Sequence, residues 1–209
     1  SIDPDDDATI FYTSGTTGDP KGVLYSHRSN ILHTMIGLQK DAIGIGAADA
    51  TLPVVPMFHA NAWGLAFSGP ATGSKLVLPG AKMDGESIYE LLENEKVTFT
   101  AAVPTVWLML LQYLEQTGKK LPHLNRVVIG GSAVPERILR AFEENYQVEV
   151  VHAWGMTETS PIGSANALKQ KHVGLPMEEI HKLRTSQGRP PFGVELRLNQ
   201  HADRSGHTV

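Results

Sequence analysis

The chain contains no cysteine, so disulfide bonds and thiolate metal sites are excluded, and a reducing compartment is compatible with its composition. No apolar run approaches the ~20 residues that a membrane-spanning helix needs. Positive charge is not in excess either: 18 Lys and Arg stand against 22 Asp and Glu, a net charge of −4. A nucleic-acid partner usually meets a basic face. We therefore expect a cytoplasmic protein with no transmembrane segment and no nucleic-acid partner.

No secretory signal peptide is visible at the start of the chain, and Ser1 is not an initiator methionine, so we expect the start to be an internal cut. The 209 residues are enough for one large domain, or for one domain and part of another. With 41% hydrophobic residues, the chain has the composition of a globular protein with a substantial core.

A dense group of hydrogen-bond donors lies between Phe11 and Gly22, directly after a short apolar run. This stretch holds three glycines, four Ser or Thr hydroxyls and one lysine, Lys21. Glycines let the backbone turn and let a ligand approach closely, and clustered N–H and hydroxyl groups form a cradle for anions. The lysine adds a mobile positive charge. The stretch therefore predicts a loop that holds a polyphosphate, and the density of donors makes an ordinary surface turn the weaker interpretation.

This loop is not one of the common phosphate-binding loops. Lys21 follows Pro20 and precedes Gly22, whereas a Walker A loop has Gly-Lys followed by Ser or Thr. The spacing of Gly15 and Gly18 matches neither the Rossmann nor the kinase glycine pattern.

Helical and strand patterns alternate at short spacing from residue 78 to residue 154, which predicts an α/β fold with helices layered on a largely parallel sheet. The predicted strands are 8–13 (buried), 22–25, 50–55, 75–78, 97–103, 126–129, 148–151 and 194–198. The predicted helices are 27–40 with Ser26 as its N-cap, 61–72 kinked or ended by Pro70, 85–95, a run from Pro104, 135–145, and a short one at 178–183 within a polar segment. Ligands bind beyond the carboxyl ends of parallel strands. Because the polar clusters at 13–22, 130–133 and 157–159 each follow a predicted strand, we expect them at one edge.

Residues 12–22, Tyr-Thr-Ser-Gly-Thr-Thr-Gly-Asp-Pro-Lys-Gly, resemble the signature loop of the adenylate-forming enzymes, which include acyl-CoA synthetases, firefly-type luciferases and peptide-synthetase adenylation domains. Four further stretches match in the family's order: Pro-Met-Phe-His-Ala-Asn-Ala-Trp at 56–63, Gly-Gly-Ser-Ala-Val-Pro at 130–135, Trp-Gly-Met-Thr-Glu-Thr at 154–159 and Gly-Arg-Pro at 188–190. The first of these and Val-Pro-Thr-Val-Trp at 103–107 are most similar to the branch of medium- and long-chain fatty-acyl-CoA synthetases, which includes relatives acting on short thioether acids such as methylmercaptopropionate.

The resemblance implies a two-step reaction in which a carboxylic acid and ATP form acyl-AMP and pyrophosphate, and coenzyme A then displaces AMP. ATP, Mg²⁺, coenzyme A and the acid are the implied ligands. Residues 1–209 correspond to the central part of the large N-terminal AMP-binding domain, without the mobile lysine-bearing C-terminal domain. We therefore expect the isolated chain to be inactive, and any homodimer to form through parts outside it.

The resemblance also implies a role for individual residues. Lys21, His59, Thr157 and Glu158 are the implied catalytic residues. The β- and γ-phosphates are assigned to the glycine-rich loop: Ser14, Gly15, Thr16, Thr17, Gly18 and Lys21. Glu158 is the implied Mg²⁺ ligand with Thr13 as a second contact, and Thr157 the implied contact to the α-phosphate. The adenine is assigned to a second group: Gly131, Ser132, Ala133, Trp154 and Gly155.

The acid is assigned to His59 and Trp63, with His59 contacting either the carboxylate or the α-phosphate and Trp63 lining or gating the acyl tunnel. The two share one helical face if a helix starts at Phe58. The other predicted wall residues of the acyl pocket are Val103, Pro104, Thr105 and Gly130. Ordinary core packing is the alternative for Trp63, and His27 and His33 are interpreted as structural. Nine histidines occur without a His-Glu-x-x-His pattern, which argues against a histidine metal site.

Other functions stay open at this point. An amino-acid-activating domain usually has aspartate where His59 stands, so a simple carboxylic acid is favoured. A luciferase-like or aryl-acid adenylating enzyme shares the first half-reaction. A hydrolase is disfavoured because the second glycine of Gly-x-Ser-x-Gly is missing around Ser132. From a different class, the rival is a nucleotide-binding fragment without activity.

Overall fold

Six strands form one sheet in residues 1–14 and 18–197, the part of the chain that the computed structural model describes. Their spatial order is β4 (Lys75–Leu76), β3 (Ala50–Pro53), β5 (Phe99–Ala102), β6 (Arg126–Ile129), β7 (Glu149–Gly155) and β8 (Ile162–Ala165). All neighbouring pairs are parallel except β7 and β8. The predicted α/β fold with a largely parallel sheet is confirmed.

The central strands are short and buried on both faces, as expected for a parallel sheet covered by helices. Successive residues alternate between two cores. Val127 and Ile129 belong to one hydrophobic cluster, whereas Val128 between them belongs to the other. The period-2 geometry of a strand thus divides the apolar side chains between the two faces of the sheet.

Helices cover the sheet, and their ends follow local sequence signals. α1 (His27–Gly37) is capped by Ser26, whose hydroxyl accepts a hydrogen bond from the Ser29 amide at 3.2 Å. α4 (Gly85–Asn94) is capped in the same way by Asp84, and α5 (Pro104–Thr117) begins with a proline at its first turn. The remaining elements are α6 (Glu136–Arg140), which continues into a π-helical turn (Ala141–Asn145), α7 (Met177–Arg184), and 3₁₀ turns at Thr157–Thr159 and Gln170–His172.

One core lies between the sheet and the helices α4, α5 and α6. Trp107 of α5 is fully buried there and meets Phe142 edge-on, with ring centroids 5.7 Å apart at 89°. The second core, on the other face, contains Leu65 of α3 (Leu65–Thr72) and the segment after α1. No helix in the described part of the chain is long and apolar enough to cross a membrane.

Strands β1 (Asp7–Thr13) and β2 (Lys21–Ser26) form a separate antiparallel hairpin. Both were predicted as strands, but the prediction that the first is buried is wrong. Phe11 is the one buried residue of β1, while Ile10 and Tyr12 are exposed. The reason is that a two-stranded ribbon has only one covered face, and alternate residues therefore lie on the open one.

The helix predicted for residues 61–72 is wrong over its first part. Residues of α2 (Ala60–Trp63) have φ values from 42° to 55°, which makes a single left-handed turn, and Gly64 continues it at φ 80°. Left-handed backbone costs roughly 1–2 kcal/mol per non-glycine residue, so tertiary packing has to stabilise this turn. His59 and Trp63 therefore do not share the face of a right-handed helix. Pro70 lies inside α3, which ends at Thr72 before Gly73.

The C-terminal part of the described chain differs from the prediction in two ways. Strand β8 was missed, because its Gly and Ser residues lack the β-branched character of the other strands. It is formed by pairing with β7, where Trp154 lies opposite Ser164. Residues 194–197 form no strand, and Leu198, the last residue of the predicted strand, lies outside the described residues.

Removing the largest buried side chain should destabilise the fold strongly. We expect Trp107→Ala to lower the free energy of unfolding by about 3–5 kcal/mol, because it leaves a cavity beside Phe142. Urea unfolding of the chain measures this. Gln112→Ala, on the exposed face of the same helix, is the control and should change the value by less than about 0.5 kcal/mol. Equal effects of the two variants would contradict the assigned core.

Candidate active site

A cavity of about 580 Å³ opens where β3, β5, β6 and β7 end. Because these strands are parallel and in register, the chain leaves all four at the same edge of the sheet. The cavity is lined mainly by apolar groups from the segments that follow the strands. Its size lies in the range of small-molecule sites.

Trp63 forms one wall and lies against the backbone of two glycines. A Cβ atom at Gly130 would lie 3.3 Å from Cη2 of Trp63 and 3.1 Å from the Ala153 carbonyl oxygen. A Cβ atom at Gly131, where φ is +80°, would lie 3.1 Å from Cγ1 of Val103. The absence of a side chain at Gly130 thus makes room for the indole ring, and its absence at Gly131 makes room for Val103.

Most of the predicted acyl residues come together around this cavity. His59, Trp63, Val103 and Gly130 all line it. Pro104 is buried in the first turn of α5, and Thr105 is exposed; neither lines the cavity. Val106 lines the cavity instead. It lies three positions after Val103, and positions three apart share one side of a helix.

Only some of the predicted adenine-side residues line the cavity. Trp154, Gly155 and Gly131 line the cavity, whereas Ser132 and Ala133 are exposed and do not. A Cβ atom at Gly163 would lie 2.4 Å from Cζ3 of Trp154, so the indole ring packs directly on the backbone of β8. The neighbouring strand therefore fixes where this ring lies.

The glycine-rich loop belongs to the β1–β2 hairpin. Thr13 lies opposite Lys21 in the register, and the Thr13 hydroxyl donates to the Lys21 carbonyl at 3.4 Å. Ser14, Gly18 and Lys21 are exposed at this end of the hairpin. The remaining predicted phosphate contacts, Gly15, Thr16 and Thr17, lie outside the described residues.

The hairpin contacts the 3₁₀ turn Thr157–Thr159 through Tyr25. The Tyr25 hydroxyl donates a hydrogen bond to the Thr157 carbonyl oxygen at 2.5 Å. Burial, and secondarily the carboxylate of Glu158, raise the pKa of Tyr25 to about 12. The part of the hairpin around Tyr25 is therefore in contact with the turn, and Thr157 of the turn lines the cavity.

Glu158 is exposed on that turn, and Thr157 is half-buried and lines the cavity. Across residues 1–14 and 18–197, no three His, Cys, Asp or Glu side chains gather into a metal-binding group. A single carboxylate suits Mg²⁺, which keeps several waters and takes its other ligands from phosphate oxygens. The donor chemistry at Glu158 and Thr13 therefore fits the ion that the resemblance implies.

His33 is a cavity residue that the sequence interpretation placed among the structural histidines. It is buried on α1, and its Nε2 has no hydrogen-bond partner in the described part of the chain. A Cβ atom at Gly64 would lie 2.4 Å from its Cε1, so the ring packs on the left-handed turn. Burial lowers the pKa of His33 to about 4. No local signal distinguishes it, because its position depends on the packing of α1 against α3.

Several apolar cavity residues were also missed: Ile43, Val54, Val55, Val128 and Ile162. Most of them sit in or just after the strands, so their place could have been anticipated once the strand order was known. The sequence alone does not provide that order.

Comparison with known proteins gives one family. The profile described as "AMP-binding enzyme" matches residues 1–206. The chain is 51% identical over 191 residues to a 3-methylmercaptopropionyl-CoA ligase of Ruegeria lacuscaerulensis, covering 91% of this chain and 35% of that protein. It is 51% identical over 197 residues to a medium-chain-fatty-acid–CoA ligase of Ectopseudomonas oleovorans, covering 94% and 36%.

Solved structures agree with this comparison. The anthranilate CoA ligase AuaEII in complex with anthranoyl-AMP superposes with a TM-score of 0.78 at 26% identity, over 99% of this chain and 37% of that one. The o-succinylbenzoate CoA synthetase MenE of Bacillus subtilis, with its acyl-adenylate intermediate, gives 0.76 at 26% identity, over 100% and 39%. The chain thus spans little more than a third of the length of these proteins.

The buried His33 predicts a pH dependence of stability. Its folded-state pKa of about 4 lies below the ordinary value of 6.5, so the unfolded chain takes up this proton first as the pH falls. The free energy of unfolding that neutral His33 contributes is complete above pH 6.5. It declines towards pH 4, by roughly 2–4 kcal/mol in total. We expect the wild-type chain to lose this much more stability between pH 7 and 4 than His33→Phe, measured by urea unfolding. Because the two proteins share every other titratable group, a pH-independent difference between them would contradict the prediction.

Proposed function

Because this chain belongs to the family of AMP-binding enzymes, we propose that it forms the nucleotide- and acid-binding part of an ATP-dependent acid–CoA ligase. The acid's carboxylate attacks the α-phosphate of ATP, giving acyl-AMP and pyrophosphate. The thiol of coenzyme A then displaces AMP and forms the thioester. The cytoplasmic location remains a prediction.

The observation that carries the proposal is the juxtaposition of two unlike surfaces. The cavity is apolar and bounded by Trp63, while Thr157, another of its lining residues, is hydrogen-bonded to Tyr25 of the hairpin that bears Lys21. An activated acid needs this combination, because its hydrocarbon part leaves water while its carboxylate meets the nucleotide. Differential stabilisation of the charge that develops on the phosphate is the expected source of rate enhancement.

We assign the phosphate contacts to the hairpin and to the turn that it touches. The loop residues Ser14, Gly15, Thr16, Thr17, Gly18 and Lys21 hold the β- and γ-phosphates. Each charge-assisted hydrogen bond contributes roughly 1.5–3 kcal/mol. Thr157 contacts the α-phosphate. Glu158, with Thr13, holds Mg²⁺, which when bound neutralises phosphate charge.

We assign adenine to the side of the cavity formed by the ends of β6 and β7. Trp154 stacks on the base from its position over Gly163. The backbone at 131–133 and at Gly155 borders the base edge. Ser132 and Ala133 are exposed in the structure, and backbone contacts do not require their side chains to enter the cavity.

We assign the acid to the apolar cavity, with His59 near its carboxylate and Trp63 along its chain. The branched side chains of Val103 and Val106 favour a flexible aliphatic chain. The names of two relatives, a medium-chain-fatty-acid and a 3-methylmercaptopropionyl-CoA ligase, support a fatty or short thioether acid. An aryl acid is the second candidate, supported by the anthranilate CoA ligase of similar fold.

We also propose that residues 1–209 are the central part of a large AMP-binding domain, and that the lysine-bearing domain belongs to the rest of a longer protein. The coverage of little more than a third of each relative supports this division. On this proposal the isolated chain binds nucleotide without turning over, which is the alternative that the sequence left open.

Acid-dependent exchange of pyrophosphate into ATP tests the first half-reaction. We expect the full-length protein to catalyse exchange with fatty or thioether acids, and the isolated chain to show none. In the full-length protein, Lys21→Ala should lower the rate about 10-fold or more, because one charge-assisted contact to the phosphates is lost. Lys119→Ala is the matched control, since Lys119 packs on Tyr89 and Tyr113 away from the site.

Two results would contradict these assignments. Wild-type exchange in Lys21→Ala would remove that lysine from phosphate binding, and robust exchange by the isolated chain would refute its proposed inactivity.

Trp63 should determine which acids fit. In the full-length protein, Trp63→Ala should shift the preference towards longer or bulkier acids by about 10-fold in relative kcat/KM, because the ring that lies against Gly130 is removed. The measurement is kcat/KM for a series of straight-chain acids and benzoate. Met109→Ala, on the exposed side of α5, is the control. An unchanged acid profile in Trp63→Ala would indicate that the ring is only core packing.

A further inference from the structure

Tyr25 is a buried polar residue that joins two parts of the site 132 positions apart in the sequence. Only 3% of its surface is exposed. Its ring meets Phe11 of β1 at a centroid distance of 4.8 Å and belongs to a small cluster with Ala60. The ring is thus held by packing, while the hydroxyl reaches the Thr157 carbonyl oxygen at 2.5 Å.

Tyr25 also lies on the face of the hairpin that carries the phosphate-type residues. Lys21, Val23 and Tyr25 alternate along β2 and therefore share one face. In the register, Thr13 lies opposite Lys21 and Phe11 lies opposite Val23, so these residues share that face too. Tyr25 and Lys21, four residues earlier, are thus parts of one face of the same paired strand.

The Thr157–Thr159 turn is held from two directions. Internally, the Thr159 hydroxyl accepts from the Met156 amide at 2.9 Å, and its one proton faces the carbonyl oxygens of Met156 and Pro161. Externally, Tyr25 makes the one side-chain hydrogen bond between hairpin and turn among the residues that the structure describes. The Thr157 carbonyl also accepts from the Ser160 amide at the longer distance of 3.3 Å.

We propose that Tyr25 is a positioning residue that sets the distance between the two phosphate-binding surfaces, Lys21 on the hairpin and Thr157 with Glu158 on the turn. This inference rests on the proposed function. The α-, β- and γ-phosphates form one covalent chain, so groups that hold its two ends must keep a constant separation. Errors of about 1 Å in such positioning cost on the order of 100-fold in rate.

Tyr25→Phe in the full-length protein tests the inference, because it removes the hydroxyl and keeps the ring against Phe11. We expect kcat/KM for MgATP to fall about fivefold, the effect of losing one buried hydrogen bond, and the half-saturating Mg²⁺ concentration to rise. The KM for the acid and the melting temperature should stay near wild type. Tyr146→Phe removes a hydroxyl remote from the site and should leave every one of these values unchanged.

A double-mutant cycle separates positioning from general stability. If Tyr25 acts through the turn, Tyr25→Phe should lower kcat/KM for MgATP less than twofold in a Glu158→Gln background, because the surface that it positions is already impaired. Full additivity of the two substitutions would overturn the inference.

The single variant has its own contrary outcomes. Unchanged MgATP parameters in Tyr25→Phe, or equal losses for MgATP and acid with a lower melting temperature, would also overturn the inference. In both cases the wild-type protein still exchanges pyrophosphate, so the proposed function stands. A wild-type protein without exchange would refute the proposed function itself.

Discussion

β3, β5, β6 and β7 run parallel to one another, and the position of the cavity follows from this alignment. Strands that run in one direction and pair in register, as Ala102 with Ile129 and Ile129 with His152, must all end at the same edge. The chain is then forced to turn there four times. Those turns bring together residues from separate parts of the sequence, and the cavity is the space that remains between them.

Close approach of backbone and ring shapes that space. Gly130 lets Trp63 lie on the end of β6, Gly163 lets Trp154 lie on β8, and Gly64 receives the ring of His33. The left-handed turn before Gly64 directs Trp63 inward at a cost in backbone energy that the surrounding packing offsets. The hairpin lies outside the sheet and joins the site through a small apolar cluster and one buried hydroxyl.

Much of the fold was predictable because its signals are local. Ser26 caps α1 by a bond to an amide three residues away, and Pro104 starts α5 by its own fixed backbone angle. The strands at the sheet centre follow from short apolar runs. The composition of the glycine-rich loop and the Thr-Glu-Thr turn indicated a phosphate-binding chemistry, since donor type and density are properties of the sequence itself.

By itself, then, the sequence determined the types of most elements and the chemical character of the loop, because these depend on residues a few positions apart. Which of these residues come into contact depends on how the elements pack in three dimensions. Contacts between distant segments produce four features that were not predicted: the left-handed turn at Ala60–Trp63, strand β8, the exposure of Thr105 and the place of His33 on the cavity wall. The physical reason is that packing against a distant partner overrides local preference wherever the energy gained exceeds the small cost of an unfavourable backbone.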